Sequence, residues 1–273
     1  MTDAVNSLRC EHLQVTAHAR GETLAQVHTS LQAGRFTAIL GPNGAGKSSL
    51  MSILVGLRTA PAGHVVFKGR SLAQWPAASL AQHMAFMAQD TQVAFSFTSQ
   101  EVVEMGRYPH RHHPKAGEAD VVQRAMQATG VAHLADREVA TLSGGERARV
   151  HLARALAQVW HPLPDGSARW LLLDEPTAAL DLQHQHACMQ LLRSRADQGL
   201  GVVAVLHDLN LALRYAHDVV LVPGGGQAAI MGPCHEVLTP QCIQQVWSVQ
   251  GELLHMQDGV PQYVFGAALA TVA

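Results

Sequence analysis

Residues 36–48 read FTAILGPNGAGKS, and this stretch decides the fold. Phe36 to Leu40 form an unbroken run rich in apolar residues, the composition of a strand buried on both faces. Glycines follow at 41, 44 and 46, then Lys47 and Ser48, and the apolar run SSLMSILVGL opens a helix at once. Strand, glycine turn and helix in that order are the context that the pattern G-x-x-x-x-G-K-[ST] requires. Glycine at 41, 44 and 46 lets the backbone fold tightly, so that successive N–H groups point inward as an anion nest. The positive end of the following helix points at the same place. The candidate cradle is therefore Gly41, Pro42, Asn43, Gly44, Ala45, Gly46, Lys47, Ser48 and Ser49. Lys47 is expected to reach the β- and γ-phosphates of a nucleoside triphosphate, and Ser48 to ligate Mg²⁺.

A cradle of this kind needs a second half, and residues 170–175 (WLLLDE) offer one. A buried strand that ends in two acids delivers one carboxylate to a metal and one to the attacking water. Asp174 suits Mg²⁺, through the Ser48 hydroxyl or a water, and Glu175 suits the general base. Between the halves lies Leu142-Ser143-Gly144-Gly145-Glu146, at the start of the helical stretch RARVHLARALAQVW. Such a start exposes unpaired N–H groups, with a serine hydroxyl at the cap. The chain already holds one complete cradle, so the phosphate for this second anion-binding helix start is expected from another copy.

Further out, the pattern remains that of one large α/β unit. The first 35 residues alternate weakly, as short antiparallel strands do. A hairpin is expected over 60–75, with its turn at Pro61-Ala62-Gly63 and a strand at HVVFKG. Residues 100–140 read as helical (SQEVVEMGRY, then EADVVQRAMQATGV), and a separate helical lobe is expected at about 90–145. WLLLDEP and GVVAVLHD read as two more buried strands with a helix through 182–198 between them, which argues for a parallel sheet. A tail from about 215 to 273 is expected to pack on the core. The whole chain, 1–273, thus reads as one domain. Apolar residues make up 48% and charged residues 15%, as in a folded globular protein. The net charge of −2 shows no basic footprint, so no nucleic-acid partner is expected. Cys10, Cys188, Cys234 and Cys242 have no zinc spacing and read as reduced thiols. No secretory signal is read in MTDAVNSLRCEH, and no apolar run reaches the ~20 residues of a membrane span. Membrane spans would have to come from a partner chain.

LSGGE between the glycine cradle and LLLDE resembles the signature of ABC ATPases, over nearly the whole chain. The resemblance implies a P-loop NTPase of the ABC type: a RecA-like core, an antiparallel β portion at the start and an inserted helical lobe. It also implies ATP as the nucleotide, and two chains that sandwich two ATPs, each held by one P-loop and the other chain's signature helix. Ser143, Gly144 and Gly145 would then touch the partner's nucleotide. Gln89, in FMAQD, matches the Q-loop, which places it at both the catalytic and the metal site. Ala179-Leu180-Asp181 is similar to the D-loop, which puts Asp181 near the nucleotide, and His207 resembles the switch histidine that contacts the γ-phosphate. Two positions depart from the pattern. His18 stands where an aromatic ring usually stacks on adenine, and Ala178 stands where the D-loop usually has serine. Neither touches the metal or the water, and an active ATP hydrolase is expected.

Two classes of ABC ATPase compete: the energy-coupling subunit of a membrane importer, and a soluble ATPase of DNA repair, chromosome structure or translation. The interval from Ser48 to Leu142 has no sustained heptads, and the chain carries one ATPase domain, which favours the importer. EVVEMGRYPHR resembles the matching segment of ATPases that serve iron-siderophore, haem and cobalamin importers. The extended connection VWHPLPDGSARW, with ALDLQHQH and GPCHEVLTPQCIQQVW, is most similar to haemin-import ATP-binding subunits. The resemblance implies a homodimer beneath two permease subunits, at the cytoplasmic face of the cell (inner) membrane. An extracytoplasmic haem-binding protein would deliver the cargo. His110, His112 and His113 cluster between Pro109 and Pro114 and read as a polar loop, while Met84 and Met87 read as ordinary core.

Overall fold

The computed structural model describes residues 6–17, 21–89, 96–111 and 117–266. Strands β1 (Ser7–Thr16) and β2 (Thr23–Gln32) pair antiparallel, and β4 (His64–Phe67) and β5 (Arg70–Ser71) extend them to a four-stranded sheet ordered β2-β1-β4-β5. Strand β3 (Phe36–Leu40) enters a second sheet with β6 (Met84–Met87), β7 (Trp170–Asp174), β8 (Gly201–Val205), β9 (Asp218–Leu221) and β10 (Ile230–Pro233). Its order is β10-β9-β3-β8-β7-β6, parallel throughout except for β10. The helices are α1 (Lys47–Leu54), α2 (Ala77–His83), α3 (Ser99–Met105), α4 (Glu118–Ala128), α5 (Gly144–Gln158), α6 (Leu182–Asp197), α7 (Leu209–Tyr215), α8 (Cys234–Val237) and α9 (Pro240–Trp247). A hairpin of β11 (Gly251–His255) and β12 (Pro261–Phe265) follows. Among the described residues no helix is long and apolar enough to cross a membrane.

The central strands are buried on both faces because their residues alternate between two cores. Ile39, Leu172, Val203 and Val220 face the antiparallel sheet and α1, where they meet Leu13, Leu31, Met51 and Phe67. Ala38, Leu40, Leu171, Leu173 and Val219 face the other way, onto α5, α6 and α7. Each fully buried Val, Leu or Ile contributes about 1.5–3 kcal/mol, so these strands are the most costly part of the chain to disturb. Met84 and Met87 are buried core. A third cluster joins α3, α4 and α5 through Val102, Val121, Met126 and Val150.

Three expectations change in detail. The hairpin over 60–75 turns at Lys68-Gly69, between β4 and β5. The bend at Pro61-Ala62-Gly63 instead docks on β1, where the Gln14 amide donates to the Ala62 carbonyl at 3.0 Å and a Cβ on Gly63 would lie 2.2 Å from the His12 carbonyl oxygen. Position 145 is no break in packing, since α5 lends Val150 and Ala153 to the helical cluster and Leu152 and Leu156 to the main core. The segment expected as a tail from about 215 begins inside the core, and Leu238, Ile243 and Tyr263 further along it are buried there too. Strand β9 lies beside β3 inside the central sheet.

Candidate nucleotide-binding and hydrolysis site

The glycine loop follows β3 and is clamped from two sides. Gly41 has φ +154, and a Cβ there would stand 2.1 Å from the carbonyl oxygen of Val222, just past the end of β9. Gly46 has φ +97 at the start of α1, and its missing side chain leaves room for Leu24 and Val15 of the antiparallel sheet. Lys47 is 6% exposed. Its Nζ donates to the carbonyls of Gly41 and Pro42, each at 2.8 Å, so the ammonium is held inside its own loop. Burial pulls the Lys47 pKa below its ordinary value, and the negative charges of Glu175 and Asp174 oppose that shift.

Ser48 donates its hydroxyl to Asp174 Oδ1 at 3.3 Å, which joins the first turn of α1 to the end of β7. Asp174 is 6% exposed. Burial pushes its pKa up, the Ser48 hydrogen bond opposes that, and the neighbouring Glu175 charge adds to it. A hydroxyl beside a buried carboxylate is an oxygen donor set suited to a hard divalent cation, whose charge would reverse the penalty of burial.

Glu175 takes a left-handed backbone, φ 53, immediately after β7. For a residue with a long side chain this costs of order 1 kcal/mol or more, and it accompanies a specific placement. Glu175 Oε1 lies 2.6 Å from His207 Nε2, and Oε2 accepts from Gln89 Nε2 at 2.8 Å. Gln89 follows β6, Glu175 follows β7, His207 follows β8 and the glycine loop follows β3. All sit at the carboxyl ends of neighbouring parallel strands, where open α/β sheets bind ligands. Gln89, expected at both the catalytic and the metal site, has its amide nitrogen on Glu175.

Ser143 is the N-cap of α5, in a reciprocal capping box. Its hydroxyl accepts from the Glu146 amide at 3.3 Å, and its own amide donates to Glu146 Oε2 at 2.9 Å. Gly144 and Gly145 form the first turn of α5, and a Cβ on Gly145 would lie 3.0 Å from the Ala179 carbonyl oxygen. Asp181 caps α6, accepting from the His184 amide at 2.8 Å. Within one chain it acts as a helix cap. His18 lies outside the described residues, as do His112 and His113. His110 Nε2 is 2.8 Å from the Gln158 carbonyl, and among the described residues no group of three or more His, Cys, Asp or Glu could hold a metal ion. Sequence reasoning missed Val222 and Leu24, the walls of the cradle. Their only signal is that glycine is needed opposite them, which does not say what stands there.

A buried lysine in a glycine loop, a hydroxyl–carboxylate pair and a glutamate held by histidine and glutamine define a P-loop ATPase. The ABC transporter family profile matches residues 24–178, and the chain belongs to that family. It is an ATP hydrolase, the ATP-binding subunit of a transporter. It is 43% identical over 228 residues to the hemin import ATP-binding protein HmuV of Pseudomonas entomophila, covering 84% of this chain and 88% of that one. The protein of the same name from Gloeobacter violaceus is 46% identical over 241 residues, 87% of this chain and 86% of that one. That from Plesiomonas shigelloides is 42% identical over 251 residues, 88% and 95%. Among solved structures, an inward-facing metal-chelate type ABC transporter matches with TM-score 0.77 at 26% identity, over 96% of this chain and 98% of that one. The dimeric post-hydrolysis structure of an ATP-binding cassette bound to ADP and Pi matches with TM-score 0.71 at 25% identity, over 83% and 98%.

Proposed function

We propose that this chain energises the import of hemin, as one of two identical ATPases docked beneath two permease subunits at the cytoplasmic face of the cell inner membrane. The observation that carries the cargo is the 41–46% identity to hemin import ATP-binding proteins over most of the chain. No residue of the site contacts cargo in this reading. Its chemistry is the hydrolysis of ATP, and a permease and an extracytoplasmic hemin-binding protein supply recognition.

The site supports a division of labour. The glycine-loop amides and Lys47 bind and neutralise the β- and γ-phosphates. Ser48 and Asp174 would hold Mg²⁺, with Gln89 reaching them as the nucleotide enters; the ion supplies charge neutralisation on the phosphate oxygens. Glu175 accepts the proton of the attacking water, and His207, at 2.6 Å, holds the carboxylate in line and faces the γ-phosphate. The amides at the start of α5, with Ser143, bind the nucleotide of the opposite subunit, so hydrolysis waits on dimer closure. Asp181 lies in the loop that meets that interface.

The test is growth of a cell lacking this subunit. Failure to use hemin as an iron source, with ferric siderophore use intact, supports the reading. The reverse pattern overturns the cargo, and leaves the ATPase assignment to be judged by phosphate release from the isolated subunit.

A further inference from the structure

The parallel sheet has a second end, remote from the nucleotide. The residues just before β3, β7 and β8 (Gly34, Arg169 and Leu200) border a cavity of ≈ 400 Å³. That is within the usual size of small-molecule sites. Strand β7 runs from Trp170 at this end to Asp174 at the other, so the cavity and the metal pair are about 16 Å apart along five residues. The connection 159–169, longer than a strand needs, supplies much of the wall and is firmly built. Asp165 accepts from Ser167 Oγ at 2.6 Å and from Lys68 Nζ at 3.1 Å, and these bonds hold its carboxyl well below the usual range.

The lining has a particular chemistry. Among the described residues it includes Arg169, Arg195 and His161, and no aspartate or glutamate. Arg195, in the last turn of α6, lies with its guanidinium carbon 4.0 Å from the centre of the Trp160 ring. Among the described residues its side chain makes one hydrogen bond, a long one of 3.4 Å to the neutral amide of Gln198, and no carboxylate pairs with it. Burial pulls its pKa below the ordinary value with no acidic neighbour to offset the shift. Stacking on Trp160 and the negative end of α6 account for a cation here. They leave the planar donor fork of a half-buried guanidinium without the acceptor it is shaped for. Leu156, Val159 and Leu200 add apolar wall to the same cavity.

We propose that this cavity binds a small organic anion with a flat aromatic body, its carboxylate or phosphate paired with Arg195 and its ring packed beside Trp160. The site is independent of the nucleotide and of the cargo. The test is isothermal titration of the full chain, with the glycine loop saturated by Mg-ADP, using indole-3-carboxylate and pyridoxine 5′-phosphate as probes and neutral indole-3-carboxamide as control. The expected result is saturable one-to-one binding of at least one anion, with the carboxamide about tenfold weaker or worse than indole-3-carboxylate. The anion that binds more tightly identifies the acidic group. Arg195→Gln and Trp160→Leu should each weaken binding by about tenfold while ATP hydrolysis stays at the wild-type rate. Arg195→Lys, which keeps the charge and loses the fork, should fall between. Absence of saturable binding by both anions overturns the proposal. So does equal affinity for the carboxamide, displacement by excess ADP, or full binding in both Arg195→Gln and Trp160→Leu.

Discussion

Glu175→Gln isolates the general base, because the two side chains have nearly the same shape. In the wild type both carboxylate oxygens are engaged, Oε1 with His207 and Oε2 with Gln89. The amide retains one oxygen that can accept from Gln89, so the side chain should stay in place. What it loses is the capacity to take the proton from water. General-base catalysis is worth about 10²–10⁴ in rate, or about 3–5 kcal/mol of barrier at 1.36 kcal/mol per decade. The effect on folding is far smaller. The His207 partner is 48% exposed, and a pair so close to solvent contributes about 1 kcal/mol or less. Binding should not suffer either. Removing one negative charge beside the phosphates lowers repulsion, and Lys47 keeps its contacts to Gly41 and Pro42. Steady-state phosphate release should therefore fall by two to four decades while ATP affinity is kept, and sedimentation in Mg-ATP should show the dimer accumulating. Release within about threefold of wild type would remove Glu175 as the base, since that is under 1 kcal/mol of barrier.

Lys47→Ala should abolish nucleotide binding to the monomer, whereas Ser143→Arg should leave it near normal and block ATP-driven dimerisation and hydrolysis; equal loss in a monomer titration would argue against a composite site. Gly41→Ala puts a Cβ 2.1 Å from the Val222 carbonyl oxygen, a backbone atom that cannot swing away. Overpacking of this kind costs about 1–3 kcal/mol, so thermal melting should drop by several degrees and ATP affinity should fall with it; an unchanged melt would mean the loop is free of β9. His217 accepts the Phe36 amide at Nδ1, 2.9 Å away, and so is held neutral at that nitrogen. Burial, then the cations Arg193 and Arg35, pull its pKa below the ordinary 6.5, with Asp197 and Asp218 opposing. Its contribution is therefore complete above about pH 6.5 and is lost as pH falls toward the lower folded value. Urea midpoints for wild type and His217→Gln should differ less at pH 5.5 than at pH 7.5, and an equal difference at both would refute the linkage.

The chemistry was more legible in the sequence than the architecture around it. Lys47, Ser48, Asp174 and Glu175 stand in short runs whose residue types have few other uses, so their positions could be assigned without knowing which strands pair. Gln89 and His207 needed the family resemblance, because one glutamine or histidine after an apolar run says nothing alone. Their meeting on Glu175 depends on β6, β7 and β8 being neighbours, which is set by non-local pairing. The turn at Lys68-Gly69 was hidden by the Pro61-Ala62-Gly63 signal. Proline and glycine mark any bend, and only the pairing of β4 with β1 tells which bend closes a hairpin. Strand β9 was hidden for a related reason. DVVLV is a short apolar run that could as well belong to a packed tail, and only its place beside β3 makes it central.

That place is also what couples the end of the chain to the phosphates. The Val222 amide donates to the Leu40 carbonyl at 2.8 Å, the last step of the ladder before the glycine loop begins. Its own carbonyl then closes on Gly41, and a Cβ on Gly224 would come within 3.4 Å of Ala45. On the other side Leu24 and Val15 press on Gly46, and the Gln26 amide donates to the Gln227 carbonyl at 3.0 Å, tying the antiparallel sheet to the same 222–227 loop. The cradle is thus a glycine loop gripped between two segments some two hundred residues apart in the chain. An anion nest binds well only if its amides are aimed before the phosphate arrives, since aiming them afterwards would subtract from the affinity. The rigid grip of β9 and the antiparallel sheet provides that aim, and it explains why glycine is required at 41 and 46 by crowding as much as by backbone angle.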